Sequence, residues 1–118
     1  MTEKLLQEQT LEFAVKIVGL CKTHKIPSDL SSQLLRSGTS IGANVREAFY
    51  GQSPADFVSK LRISLKECYE TEYWLELFVL SNLITEEVFQ PLHKESGKIR
   101  SRLISSIQTM LNRYPELK

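Results

Sequence analysis

A short run in the first half of the chain matches a catalytic motif. Residues 38–42, GTSIG, fit the pattern G-x-S-x-G, which places a nucleophilic serine on a sharp turn between a strand and a helix in α/β-hydrolases. The preceding residues, DLSSQLLRS, follow helical periodicity instead. His93, a candidate general base, lies near a proline and has no identifiable orienting carboxylate. We therefore predict that Ser40 is not a nucleophile and that the chain is not an enzyme.

Glutamates crowd the third predicted helix and are the next candidates for chemistry, as metal ligands. Carboxylates in a four-helix protein can hold two metal ions, but that arrangement requires a Glu-x-x-His pair on each of two helices. Neither His24 nor His93 has a glutamate three positions before it. We therefore predict no metal site and interpret the glutamates as ion-pair partners. Glu72 lies on the apolar stripe, and its expected partner is Arg36 or an arginine of another subunit.

Basic residues of the last predicted helix could contact a phosphate backbone. Lys94, Lys98 and Arg102 are spaced four apart and would form one ridge. Such a ridge is usually a solvated face, but a symmetric oligomer would repeat it as a basic ring able to hold RNA or DNA. No P-loop is present to hold a nucleotide, and no cofactor is predicted. The candidate nucleic-acid contacts are Lys94, Lys98, Arg100 and Arg102.

Composition narrows the class of protein. The chain has 118 residues, 42% hydrophobic, which suits a single globular domain over residues 1–118. Its net charge of +1 is lower than is usual for a protein that wraps duplex nucleic acid. Cys21 and Cys68 have no C-x-x-C spacing and no nearby histidine, which is typical of reduced thiols. With no signal peptide and no apolar run long enough to span a membrane, the predicted location is the cytoplasm.

Four amphipathic helices account for almost all of the chain. Apolar residues recur at spacings of three and four, and we predict helices over about 2–24, 29–50, 54–82 and 85–114. Ser28 or Asp29 could cap the second helix, and Pro91 with Gly97 predicts a kink or a late start in the fourth. Short connections favour antiparallel neighbours. The predicted fold is all-α, an antiparallel up-down-up-down four-helix bundle.

The second predicted helix carries a face of small polar residues. On a helix, Gln33, Ser37, Ser40, Asn44 and Glu47 share one side, beside the apolar stripe. Two glycines on the same helix each cost about 1 kcal/mol of helix propensity, which something should offset. Small residues allow another helix to approach closely. The face therefore indicates close helix packing, within the bundle or between subunits, and the alternative is an ordinary solvated face.

Two long segments carry a family resemblance that covers residues 13–111. LLRSGTSIGANVREA and DFVSKLRISLKECYETEYWLELF resemble the four-helix-bundle proteins encoded in intervening sequences of bacterial 23S ribosomal RNA genes, also labelled S23 ribosomal proteins. The resemblance implies a ring-like homopentamer and no established activity. The family is also similar to retroelement accessory variability proteins, which associate with nucleic acid and a reverse transcriptase. The most specific positions are Gln33, Arg36, Ser37, Ser40, Ile41, Asn44 and Glu47, then Phe57, Leu61, Glu67, Glu70, Tyr73, Trp74 and Leu75.

Two hypotheses for function follow. The first is a non-enzymatic homo-oligomeric scaffold, which the resemblance implies is pentameric. Its expected partners are other copies of itself and a different protein. The alternative is an RNA- or DNA-binding accessory protein that uses the basic ring. Residues predicted for helix packing or the subunit interface are Gln33, Arg36, Ser37, Ser40, Asn44, Glu47, Glu67, Glu70 and Trp74.

Overall fold

The computed structural model describes residues 2–118, with side chains from residue 5 onward. Met1, which the predicted domain includes, lies outside the described residues. Within residues 2–118 the chain forms helices and no strand, which confirms the all-α prediction. The elements are α1 (Thr2–Thr23), α2 (Ser28–Phe49), α3 (Pro54–Leu80), α4 (Glu86–Arg113) and a 3-10 turn, Pro115–Leu117.

Local sequence explains where the helices begin. The Ser53 side chain accepts a hydrogen bond from the Asp56 backbone N–H (3.0 Å) at the start of α3, and Pro54 occupies the first helical position. Thr85 caps α4 in the same way, through the backbone N–H of Val88 (3.3 Å). The predicted side-chain cap of α2 is wrong, because Pro27 occupies its N-cap position without a side-chain hydrogen bond.

Helix α4 runs without interruption through Pro91 and Gly97, so the predicted late start is wrong. Pro91 lies early in the helix, where its missing N–H removes one backbone hydrogen bond, to the carbonyl of Glu87. The Thr85 cap and the acidic side chains of Glu86 and Glu87 in the first turn stabilise the segment before it. The helix therefore begins at Glu86 in spite of the proline.

Neighbouring helices run antiparallel. Lys60 of α3 pairs with Glu47 of α2, whereas Glu67, later on α3, pairs with Arg36, earlier on α2. The same reversed order relates α3 to α4 and α4 to α1, so the bundle has up-down-up-down topology with α1 and α3 on a diagonal. The pairs that show this are Glu72–Arg100, Glu76–His93, Gln9–Arg102 and Lys16–Glu95.

The core lies along the axis of a bundle that measures 46 × 24 × 20 Å. Each helix contributes its apolar stripe, and burial of these side chains is the main favourable term in folding. Side chains with no exposed surface include Phe13 and Ile17 of α1, Leu34 and Ile41 of α2, Leu61, Leu75 and Phe78 of α3, and Ile99 and Leu103 of α4.

Candidate interaction site

The G-x-S-x-G segment lies in the middle of α2, so the strand and sharp turn of a nucleophile elbow are not formed there. The Ser40 hydroxyl donates to the backbone carbonyl of Arg36 at 2.6 Å, one turn earlier in the same helix. This is the ordinary hydrogen bond of a helical serine. The motif therefore matches in sequence without the geometry that the chemistry requires.

The two glycines of the motif bring α1 and α2 together. A Cβ on Gly38 would lie 2.9 Å from the Ile17 side chain, and one on Gly42 would lie 3.2 Å from the Thr10 backbone carbonyl oxygen. Side chains at these positions would push the helices apart. The cost of glycine in a helix is thus offset by close packing inside the subunit.

Charged residues of the predicted interface set meet between α2 and α3 of one chain. Arg36 Nη1 lies 3.2 Å from Glu67 Oε1, and Nη2 donates to Glu70 Oε2. The Trp74 indole N–H donates to the same Glu70 oxygen at 3.3 Å. The hydrogen bond from Arg36 lowers the pKa of the Glu70 carboxyl. We call Arg36, Glu67, Glu70 and Trp74 the α2–α3 clamp.

Small hydroxyl side chains line the inside of the same contact. The hydroxyl oxygens of Ser37 and Thr71 are 3.0 Å apart and fully buried. Ser64 Oγ donates to the backbone carbonyl of Ile41 at 2.8 Å. These short groups let α2 and α3 approach closely, and each hydroxyl has a hydrogen-bond partner inside the contact.

The remaining members of the predicted interface set lie on the outer side of α2. Asn44 is half-buried, and its amide donates to the Ser40 carbonyl at 2.8 Å. Glu47 is exposed and pairs with Lys60 at 3.0 Å. Gln33 is exposed, and within residues 5–118 it contacts no other helix through a hydrogen bond. The set therefore divides into residues that join α2 to α3, Glu47 among them, and Gln33 and Asn44, which make no hydrogen bond to another helix within residues 5–118.

The buried glutamate of α3 has a different partner from the predicted one. Glu72 Oε2 accepts hydrogen bonds from Arg100 Nε (3.1 Å) and from Ser96 Oγ (3.0 Å), both on α4. The prediction of Arg36 as its partner is wrong, because Arg36 faces the outer side of α3 and α4 covers Glu72. Burial raises the pKa of the adjacent Cys68 thiol to about 12.

The basic residues of α4 do not act as one ridge. Arg100 is engaged by Glu72, and Arg102 Nη1 donates to Gln9 Oε1 of α1. Lys94 and Lys98 are exposed, one turn apart, and within residues 5–118 they form no ion pair. The structure thus separates two cations that face solvent from two that hold the bundle together.

An apolar groove between α1 and α2 escaped the sequence analysis. It has a volume of about 620 Å³ and is lined on α1 by Leu11, Val15 and Val18, with Ala43 and Thr39 on α2. Leu11 and Val15 are 52% and 64% exposed. The sequence does contain a signal for this groove. Leu11 and Val15 are four residues apart on the side of α1 opposite Phe13, so α1 carries two apolar stripes.

The family model for 23S rRNA-intervening sequence proteins matches residues 4–105. The chain belongs to this family. The predicted resemblance is therefore confirmed. A crystal structure of a protein of unknown function, from the S23 ribosomal protein family of Bacteroides thetaiotaomicron, is 47% identical to this chain, with a TM-score of 0.85. The match covers 92% of this chain and 99% of that one. Curated proteins give no match.

Two further features are absent from the part of the chain that the structure describes. Across residues 5–118, no three side chains of His, Cys, Asp or Glu cluster in a way that could hold a metal ion. None of the described helices combines the length and the apolar character needed to cross a membrane.

Proposed function

We propose that this protein is a non-enzymatic scaffold that assembles with its own copies into a ring of five, through the groove between α1 and α2. The observation that carries the proposal is the exposure of Leu11, Val15 and Val18 along one side of α1. Contiguous apolar surface of this kind on a small protein marks an interaction site. The number five rests on the family resemblance.

Other features support the proposal. Much of the predicted polar face makes contacts inside the subunit, through the α2–α3 clamp and the buried hydroxyls. The apolar groove is therefore the better candidate for a contact between subunits. Cys21 and Cys68 are free thiols, which supports the cytoplasmic location predicted from the sequence. The helical setting of Ser40 supports the absence of hydrolase chemistry, and an organophosphate probe should leave that residue unmodified.

The experiment is a measurement of mass in solution by light scattering and native mass spectrometry. The wild type should have about five times the 13.5 kDa mass of one chain. Val15→Glu should reduce the mass to that of a monomer, because it places a charge in the apolar groove, while circular dichroism stays helical. Ile104→Glu is the matched control, since Ile104 is a partly exposed apolar residue on α4. A wild type that stays monomeric at all concentrations would overturn the proposal.

A second candidate function is binding to RNA or DNA, and the exposure of Lys94 and Lys98 supports it. In a ring these two cations would be repeated in every subunit. Fluorescence anisotropy with a labelled structured RNA should show affinity that falls steeply between about 50 and 200 mM salt, because bound phosphates release counterions. The double variant Lys94→Glu/Lys98→Glu should lose binding, whereas Lys25→Glu/Arg113→Glu should keep it. Absence of binding at low salt would exclude this candidate.

A further inference from the structure

Helices α1 and α3 carry outward stripes with the same spacing. Each stripe steps along its helix by four, three, four and three residues, which keeps the side chains on one face. The α1 stripe is Glu8, Glu12, Val15, Gly19 and Lys22. The α3 stripe is Arg62, Lys66, Tyr69, Tyr73 and Glu76.

Both stripes face away from the bundle. On the α3 stripe, Tyr69 and Tyr73 are 51% and 58% exposed, which is unusual for two aromatic rings one turn apart. On the α1 stripe, Val15 is 64% exposed. Because α1 and α3 occupy a diagonal of the bundle, the two stripes of one subunit cannot meet each other. The exposed surface of Val15, Tyr69 and Tyr73 can therefore be covered only by another molecule.

The two stripes are complementary in charge when they are aligned in the same direction. With Glu12 opposite Lys66, the next acidic residue, Glu8, is opposite Arg62. At the other end of the same alignment, Lys22 is opposite Glu76. The middle of the contact is apolar, with Val15 opposite Tyr69. A single register of the two stripes therefore places opposite charges against each other at both ends of the contact.

Gly19 gives an independent reason for a close approach at this face. A Cβ on Gly19 would meet no atom within 4 Å in its own subunit, in contrast to Gly38. Glycine inside a helix nevertheless costs about 1 kcal/mol relative to alanine. In the register above, Gly19 lies opposite Tyr73, and the missing side chain leaves room for the aromatic ring.

The direction of the contact distinguishes rotation about an axis along the bundle from a two-fold axis across it. In the up-down-up-down bundle α1 and α3 run parallel, and rotation about an axis along the bundle keeps them parallel between subunits. A two-fold axis across the bundle would make the contact antiparallel. It would then place Glu8 against Glu76 and Lys22 against Arg62, which are pairs of like charge.

We propose that the α1 stripe of one copy packs parallel against the α3 stripe of the next, with Tyr69 and Tyr73 seated in the groove between α1 and α2. The interface is heterologous, so it propagates from subunit to subunit until the ring closes. This inference rests on the proposed function, because it names the second surface of the same assembly and the register of the contact.

Disulfide trapping tests the pairing directly. In a Cys21→Ala background, the double variant Val15→Cys/Tyr69→Cys should form a covalent ladder up to the full ring on mild oxidation. Neither single variant should form a covalent dimer, because Val15 meets Tyr69 and not its own copy. Native Cys68 is fully buried and should not contribute. The matched control Val15→Cys/Ile104→Cys should give no ladder.

The outcomes separate the two proposals. A dimer from Val15→Cys alone would show α1 packed on α1 and overturn the parallel α1–α3 contact. If Val15→Cys/Tyr69→Cys assembles to the wild-type mass but forms no ladder, the role of α3 is overturned and the scaffold proposal still holds. A monomeric wild type would overturn both.

Charge reversal supplies a second measurement that does not depend on disulfide geometry. Glu12→Lys and Lys66→Glu should each weaken subunit association by about tenfold, and the double variant should recover most of the loss. Equal, additive losses would show that the two residues do not face each other.

Gly19→Ala gives a test in which stability and assembly change in opposite directions. In the monomeric Val15→Glu background the alanine should raise Tm, because it removes the propensity cost of glycine. In the otherwise wild-type chain it should weaken association, because the methyl group meets the Tyr73 ring. Unchanged association would exclude a close approach at this position.

Discussion

Glu72 of α3 and Arg100 of α4 form an ion pair at the edge of the core, with Glu72 Oε2 3.1 Å from Arg100 Nε. The Glu72 side chain is 10% exposed, and Ser96 Oγ donates to the same oxygen. The Arg100 guanidinium also lies 5.7 Å from the centre of the Tyr69 ring. A carboxylate that the periodicity places on an apolar stripe is thus neutralised inside the subunit.

Removal of Arg100 should therefore destabilise the fold. Arg100→Met should lower the free energy of unfolding by about 2–3 kcal/mol, because a mostly buried carboxylate loses its cation. Chemical denaturation monitored by circular dichroism measures the change. Lys98→Met, an exposed position on the same helix, should change stability by less than about 0.5 kcal/mol. Equal effects of the two variants would contradict a structural role for the ion pair.

Gly38 should not tolerate a methyl group. Gly38→Ala gains helix propensity, but its Cβ would lie 2.9 Å from the fully buried Ile17 side chain, and the overpacking should lower stability by about 1–2 kcal/mol net. Gly97→Ala is the control, because its Cβ would make only an ordinary contact, 3.5 Å from Arg100 Nη2. Gly97→Ala should raise Tm, and a rise in Tm for both variants would show that α1 and α2 can separate without cost.

The start of α3 depends on a capping serine. Ser53→Ala should lower the free energy of unfolding by about 1 kcal/mol, since the Asp56 N–H would lose its acceptor. Ser59→Ala, at an exposed position inside α3, should be neutral or slightly stabilising because alanine has the higher helix propensity. Thermal unfolding of the two variants side by side gives the comparison, and equal Tm values would argue against the cap.

The buried Cys68 thiol should make stability depend on alkaline pH. Its pKa is about 12 in the folded protein against an ordinary value of 9.0, so above pH 9 the folded state keeps a proton that the unfolded state loses. The resulting stabilisation is fully present below pH 9 and falls as pH rises, by up to about 1.4 kcal/mol per pH unit.

Comparison with Cys68→Ala isolates this effect from other groups that titrate at alkaline pH. The difference in free energy of unfolding between the wild type and Cys68→Ala should be constant from neutral pH to about pH 8 and should shrink above pH 9. Urea denaturation at several pH values measures it. A difference that stays constant to pH 10.5 would show that the Cys68 thiol ionises as readily in the folded as in the unfolded state.

Much of the secondary structure could be read from the chain, because its determinants are local. Apolar residues at spacings of three and four select helix, and Ser53, Pro54 and Thr85 mark helix starts through short-range hydrogen bonds and fixed φ angles. The prediction that Ser40 is not a nucleophile also rests on local sequence, since the residues before it follow helical periodicity. The cap of α2 was misread, because Pro27 can occupy that position without a side-chain bond.

The partners of charged residues could not be read from the chain. Arg36 and Arg100 lie on the two helices that neighbour α3. Arg36 binds Glu67 and Glu70, whereas Arg100 binds Glu72. Which carboxylate each arginine meets depends on how the helices are rotated and aligned against each other, and periodicity leaves both open.

The sequence by itself determined the helical fold and, through Ser53 and Thr85, the starts of α3 and α4. Only the tertiary structure decided that Gly38 and Gly42 allow the close approach of α1, that the clamp lies inside one subunit, and that Leu11 and Val15 are exposed. The physical reason is one of range. Propensity, capping and amphipathicity act over a few residues, whereas distances between residues far apart in sequence follow from the packing of whole helices.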